Sequence, residues 1–172
     1  MTYTLRTKRL TLKPFSAADL GPAMELYQSP RAEFIGGPFA ERDAWRLAAT
    51  VIGHWQIHGF GMSTVTFAGS EEPLGIVGCW YPKGWPEREI GWAMFAEHEG
   101  KGIAFEAAQA VIDHAWNTLG WDTIVSYIDR DNARSIALAE RLGAVVDPQG
   151  IPPKPDQNDA VYRHPKPERL AI

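Results

Sequence analysis

The order of patterned segments in this chain predicts a single α+β domain around one mixed sheet. Three observations carry that expectation. Alternating or β-branched stretches interleave with amphipathic ones in the order β-α-α-β-β-β-α-β-α-β. No repeat, low-complexity tract or linker is long enough to separate two domains. The 172 residues, 45% of them hydrophobic, suffice for one real core. The expected domain spans residues 1–172.

Arg9 to Pro14 alternates as a strand. Ser16-Ala-Ala-Asp19 has capping-box spacing, with Asp in place of Glu, and opens a helix running through Met24 and Tyr27 until Ser29-Pro30 breaks it. Residues 30–38 read as irregular or as a short helical turn. A second helix is expected over Ala40–Ile57, with Trp45, Leu47, Ala48, Val51, Ile52 and Trp55 as its apolar positions and Gly59-Phe-Gly61 as its stop. Met62–Ala68 and Leu74–Tyr81 read as strands around the turn Gly69-Ser-Glu-Glu-Pro73. Arg88–Phe95 follows as a strand after the loop Pro82-Lys-Gly-Trp-Pro86. Ile103–Leu119 is the clearest helix, its apolar residues recurring at helical spacing up to Gly120. Thr123–Ile128 is a β-branched strand, and a last helix begins at Asn132 and ends at Leu142-Gly143. Ala144-Val-Val is a short strand, residues 148–159 a Pro-rich loop, and Ala160–Arg163 a candidate final strand.

The net charge of -4 argues against a general nucleic-acid binder, which usually presents a basic face. No run approaches the roughly 18 apolar residues of a membrane span, and the N-terminal residues carry no apolar signal-peptide core. The single Cys79 cannot form an intramolecular disulfide and fits a reducing compartment. The expectation is a cytoplasmic protein with no nucleic-acid or membrane partner.

The most informative stretch is Glu89 to Ala108, a strand, a glycine loop and a helix start. A helix start offers unpaired N–H groups and a partial positive charge, which suit a phosphate, and Gly100 and Gly102 remove side chains that would hold a phosphate off. Two glycines before a helix are also an ordinary loop, and the spacing is neither that of a P-loop nor that of the dinucleotide fingerprint. A second segment adds weight: Asn132-Ala-Arg-Ser135 followed by Ala139-Glu-Arg-Leu-Gly143. Loop, Asn-x-x-Ser helix and their order together resemble the GNAT acyltransferase superfamily, most closely its branch of RimJ/RimL ribosomal-protein N-terminal acetyltransferases. The resemblance covers nearly the whole chain. It implies a GNAT-like central sheet, mixed and mostly antiparallel, flanked by helices, with acetyl-CoA as acyl donor and no metal. Four positions depart from the family's habit: Glu97 before the loop, Phe105 in the helix start, Ala139 where many members carry a proton-donating Tyr, and Ala144 after Leu-Gly.

In the implied reaction an amine attacks the acetyl thioester directly. The resemblance implies that backbone groups of Ala93, Met94 and Phe95 lie beside the pantetheine arm, where a splayed strand end exposes N–H groups to polarise the thioester carbonyl. It places the N–H groups of Gly100, Lys101, Gly102, Ile103 and Ala104 on the pyrophosphate, with the Lys101 charge at the rim. Asn132 is a favoured helix cap and also a candidate contact to the pantetheine arm. Asn132, Ser135 and Ala139 share a helix face, which makes Ser135 a candidate proton donor to the thiolate or cofactor contact, against the plainer role of satisfying the helix start. Glu89 is the leading candidate for the general base, against the alternative of a strand-end charge in solvent.

The acceptor is expected to be a primary amine, on a protein N-terminus or a small molecule. Glu33, Tyr81 and Trp85 are the candidate acceptor contacts, with Tyr127 a further polar candidate. Trp80, Tyr81, Trp85 and Trp92 can form an aromatic acceptor pocket by cation–π contact; core packing is the alternative, and is preferred for Trp92. Trp85 in its loop can equally serve a homodimer contact. His54 and His58 have the spacing of a two-histidine metal clip but lack a third ligand, and read as a helix-surface pair. His98 borders the glycine loop and reads as a loop-surface residue, against a contact to cofactor phosphate; His114 reads as an ordinary helix residue, and Cys79 as an inert core thiol, against an acyl-accepting nucleophile. A non-catalytic CoA-binding module and a protein-interaction domain are the alternatives to an enzyme.

Overall fold

The computed structural model describes residues 3–166, so residues 1–2 and 167–172 of the expected domain lie outside the described residues. Eight strands make one sheet: β1 (Leu5–Arg6), β2 (Leu10–Pro14), β3 (Met62–Phe67), β4 (Pro73–Trp80), β5 (Glu89–Met94), β6 (Val125–Asp129), β7 (Val145–Val146) and β8 (Asp159–Arg163). Their order is β1-β2-β3-β4-β5-β6-β8-β7. Every neighbouring pair is antiparallel except β5 and β6, which run parallel. The helices are α1 (Leu20–Gln28), α2 (Glu41–His58), α3 (Ile103–Asn117) and α4 (Ala133–Arg141). The sheet is mixed and mostly antiparallel with helices on its faces, as expected.

Adjacent residues of a strand point to opposite faces, and β4 shows the consequence. Val77 packs with Leu10, Ile90, Val111 and Ala115 under α3, whereas Ile76 packs with Ala23, Tyr27, Ala48 and Val51 under α1 and α2. A third cluster, Ile128, Ala139, Ala144, Ala160 and Tyr162, seats α4 on β6 and β8. A 15-residue helix such as α3 is marginal alone. Its buried Ile103, Val111, Ile112 and Trp116 each contribute roughly 1.5–3 kcal/mol by leaving water, which decides the matter.

Several boundaries differ from expectation for local reasons. Ser16 and Asp19 do form a capping box, but it caps a 3-10 turn at Ala17–Asp19 that leads into α1. Residues 30–35 form a 3-10 turn capped by Ser29. The strand β1 was not expected, because two residues are too few to show alternation. Trp45, counted among the apolar positions of α2, is 57% exposed. Glu106, in the first turn of α3, accepts from Thr7 Oγ1 at 2.5 Å, Arg9 N at 3.0 Å and Arg9 Nε at 2.6 Å, fastening the β1–β2 turn to the helix.

Candidate active site

The parallel strands β5 and β6 pair at one step only, Glu89 opposite Val125, and then diverge. Beyond that step Ser126 Oγ donates to Ile90 O at 2.6 Å. On its other edge β5 stays paired with β4 through Met94, and Phe95 N–H donates to Leu74 O at 3.0 Å. In an antiparallel pair the bonded residues alternate. Ala93 and Phe95 therefore turn their amides to β4, while Trp92 and Met94 turn theirs to the gap. The sequence expectation placed Ala93, Met94 and Phe95 together beside the donor; the alternation separates them, and it brings in Trp92.

Two cavities open on this gap. One, of about 510 Å³, is lined by β5, β6, the 3-10 turn, α2 and the loop before β8; the other, of about 400 Å³, by β5, the glycine loop and α4. They meet at Phe34, Ile35, Trp92, Ala93, Asn132 and Ser135. Asn132 Oδ1 caps α4 by accepting the Ser135 N–H at 3.2 Å, and Trp92 Nε1–H donates to Ser135 Oγ at 3.2 Å. Trp92 thus lines both cavities while also packing against the core. Ala139, expected on the same helix face as Asn132 and Ser135, is fully buried in the α4 cluster and lines neither cavity.

At the outer end of the smaller cavity Gly100 and Gly102 have φ of +71° and +72°, a backbone region that L side chains rarely adopt. The first hydrogen bond of α3 runs from Glu106 N–H to Gly102 O, leaving the amides of Ile103, Ala104 and Phe105 without a helical acceptor. Gly100, Gly102 and Ala104 line the cavity. Ile103 does not, since its side chain is in the core under α3, and the exposed Lys101 contributes its carbonyl to Arg9 at 3.3 Å. The exposed Glu97 lines neither cavity; the acid of this loop is Glu99, which bridges Arg31 and, at 2.6 Å, Arg134. Arg31 also donates to Met94 O at 3.1 Å, and Arg141 lies over the Phe105 ring at 4.6 Å. Sequence reasoning missed Arg31, Glu99, Arg134 and Arg141. Arg134 and Arg141, seven apart and flanking the Asn-x-x-Ser face, were the available signal.

At the inner end of the larger cavity Glu89 Oε2 accepts from Trp85 Nε1–H at 2.7 Å. Burial pushes the Glu89 carboxyl up to about 7, against the pull of the Trp85 donor and the Tyr127 backbone. It is not a strand-end charge in solvent. Of the other acceptor candidates, Trp85 and Tyr127 line the cavity. Tyr81 does not: it lies beside His58 with Arg88 over its ring, and its backbone N–H donates to His54. Exposed Glu33 does not either; its neighbours Phe34 and Ile35 take the wall.

The histidines are not a surface pair: His58 is half-buried and His54 lies deeper. His54 is buried, with Nδ1 2.9 Å from Phe60 O and Nε2 accepting the Tyr81 N–H at 3.0 Å, so both ring nitrogens are occupied. Among the described residues no group of three His, Cys, Asp or Glu could hold a metal ion. His98 lines the smaller cavity and His114 stacks edge-on to Tyr3. Cys79 is in the core, where burial pushes its thiol well up. His164, not singled out from sequence, is buried with Nε2 3.0 Å from Ser126 Oγ, and burial holds it down at about 4.

A sheet opened between parallel central strands, with a glycine-headed helix at the mouth of the gap, is the architecture of a GNAT acetyltransferase, and the chain belongs to that family: the acetyltransferase (GNAT) domain matches residues 9–145. Among solved structures, an acetyltransferase from Agrobacterium tumefaciens is 36% identical with a TM-score of 0.90, covering 95% of either chain. The N-acetyltransferase p20 of Bacillus licheniformis, itself uncharacterized, is 26% identical over 143 residues, 81% of this chain and 80% of that protein. RimL, a ribosomal L7/L12 alpha-N-protein acetyltransferase, has a TM-score of 0.74 at 17% identity, covering 95% of this chain and 94% of its own, and has also been solved in complex with coenzyme A. At that identity the likeness to RimL is one of fold. None of the described helices is long and apolar enough to cross a membrane.

Proposed function

We propose that this protein transfers an acetyl group from acetyl-CoA to a primary amine by direct attack. The observation that carries the reading is the meeting of two cavities at Trp92, Ala93, Asn132 and Ser135, where β5 and β6 part. One cavity suits a phosphate-bearing donor: three unpaired amides at the start of α3, two glycines at positive φ and three arginines face it. Acetyl-CoA, when bound, supplies an activated acyl group on a thiol leaving group.

The residues of the chain do the rest. The glycine loop and the arginines hold the phosphates. The amides of Trp92 and Met94 face the gap and stabilise charge developing on the thioester oxygen. Glu89, poised near neutrality, takes the proton of the attacking ammonium directly or through water. Ser135 accepts from Trp92, which leaves its own O–H free to donate to the departing thiolate. Trp85 orients Glu89. The lone Cys79 agrees with work in a reducing cytoplasm.

A second reading has one observation in its favour: Ala139 is packed in the core, so α4 offers no phenol as acid, as in a non-catalytic CoA-binding module. Calorimetric titration with acetyl-CoA, CoA and ATP, followed by an amine screen, tests both. Binding of acetyl-CoA and CoA but not ATP, with thiol release on adding amine, is expected. CoA binding without turnover on any amine favours the module, and no binding of either CoA species removes the donor site.

A further inference from the structure

We infer that the amine accepted here is a small monocation with an aromatic or bulky apolar body, and not a polyamine, an aminoglycoside or a protein N-terminus. This rests on the acetyltransferase reading above and concerns the larger cavity.

The charges of that cavity lie on one side. Its carboxylates, Glu89, Asp129 and Asp159, come from β5, β6 and β8, and among the described residues the only basic one lining it is Lys154. No charged residue lines the opposite wall, drawn from residues 27–80. That wall carries Phe34, Phe39 and Trp80, and Trp85 and Trp92 complete the aromatic surround. Aromatic faces attract an ammonium group and an apolar body alike.

The three carboxylates are not equivalent. Asp129 holds Asp131 N–H at 2.8 Å and Asn158 Nδ2 at 3.3 Å, both on Oδ1, and Glu89 holds Trp85 on Oε2. Asp159 has no side-chain partner among the described hydrogen bonds and ion pairs; burial and the neighbouring Asp129 charge raise its carboxyl above the ordinary value, against the pull of the nearby Lys154 charge. An ammonium group between Asp159 and Glu89 satisfies that side, and the body of the ligand then falls on the aromatic wall.

The other amine classes fit worse for one shared reason. A second ammonium would meet a wall with no carboxylate, and a set of sugar hydroxyls one whose only side-chain hydrogen-bonding groups are the Tyr27 hydroxyl and the Trp80 N–H, and a buried polar group left unpaired is costly. A peptide brings an N–H and a C=O per residue to the same wall. A volume of about 510 Å³ suits a small molecule.

The test follows thiol release from acetyl-CoA by the full chain with 2-phenylethylamine, spermidine, kanamycin and a serine-first hexapeptide. A kcat/KM for 2-phenylethylamine about tenfold or more above the others is expected. Phe39→Ala, which lines only the larger cavity, should raise its KM by about tenfold with CoA affinity unchanged. Asp159→Asn should do the same and serves if Phe39→Ala does not fold. Preference for any of the other three acceptors overturns the inference and leaves acetyl transfer standing. Absence of CoA binding overturns the underlying reading instead. If CoA binds and no amine is acetylated, titration of 2-phenylethylamine into the CoA complex decides: binding weakened by Asp159→Asn sustains the inference, and no heat removes it.

Discussion

Glu89 is where sequence, packing and chemistry converge on a single side chain. Its strand position puts it at the last paired step before the gap, and burial raises it to about 7. Because the ionised form is the base, kcat/KM is expected to rise with pH through about 7 and then level off. Glu89→Gln should abolish that limb and lower kcat by roughly 10²–10⁴-fold with CoA affinity kept; an unchanged pH profile in the variant would remove Glu89 from proton transfer. Glu99 makes a second prediction. It holds Arg31 and Arg134 where phosphates are expected, so Glu99→Gln should free both and tighten CoA binding by about fivefold at low salt, roughly 1 kcal/mol. Weaker binding in calorimetry would mean that the bridge shapes the loop instead of competing for it. Glu89 was legible as an acid preceding the donor strand. Glu33 and Tyr81 were equally plausible acids and hydroxyls in the sequence, and only the path of the chain turns Phe34 and Trp80 inward in their place.

Among the elements, the glycine-headed start of α3 was the most legible, because it combines helical periodicity with residues that few other sites require. Gly102 sits at φ +72°, so any side chain there is strained before a ligand arrives. Gly102→Glu adds a carboxylate beside the unpaired amides and should weaken CoA binding by about 100-fold or more. Near-native CoA affinity in a folded Gly102→Glu protein, read by calorimetry and melting, would move the phosphate site elsewhere. The β1 strand and the exposure of Trp45 were not legible, for opposite reasons. Two residues carry no period, and a tryptophan on a helix carries the same hydrophobicity whether or not a neighbour covers it. The alternation that turns the Trp92 and Met94 amides to the gap needs the β4 register, which depends on residues 9–19 positions away in the chain.

For the whole molecule, two buried titrating groups oppose each other. Glu89 ionises at 4.5 ordinarily and at about 7 in the fold, so the native state holds the extra proton between those values and stability falls as pH rises through them. His164 goes from 6.5 to about 4, so the unfolded chain holds the extra proton and stability rises with pH across that window. Each effect is at most about 3 kcal/mol. Between pH 4.5 and 6.5 the slopes offset. Glu89→Gln should therefore melt higher than the native chain at pH 8, by several degrees, and lose stability more steeply below pH 6.5. Melting curves that run parallel for the two proteins across pH 4.5–8 would refute this pairing.

The narrow junction of β5 with β6 also bears on endurance. Five strands form one leaf and three the other, stitched at the Glu89–Val125 step. A reactant lying in that seam touches both leaves and acts as a strut. Amides of β6 and β8 should exchange with deuterated water sooner than those of β3 and β4, and should gain the most protection when donor is added. The opening that admits a reactant is then also where the fold is least self-sufficient, so in a cell the lifetime of this protein against proteases would follow how often that seam is filled.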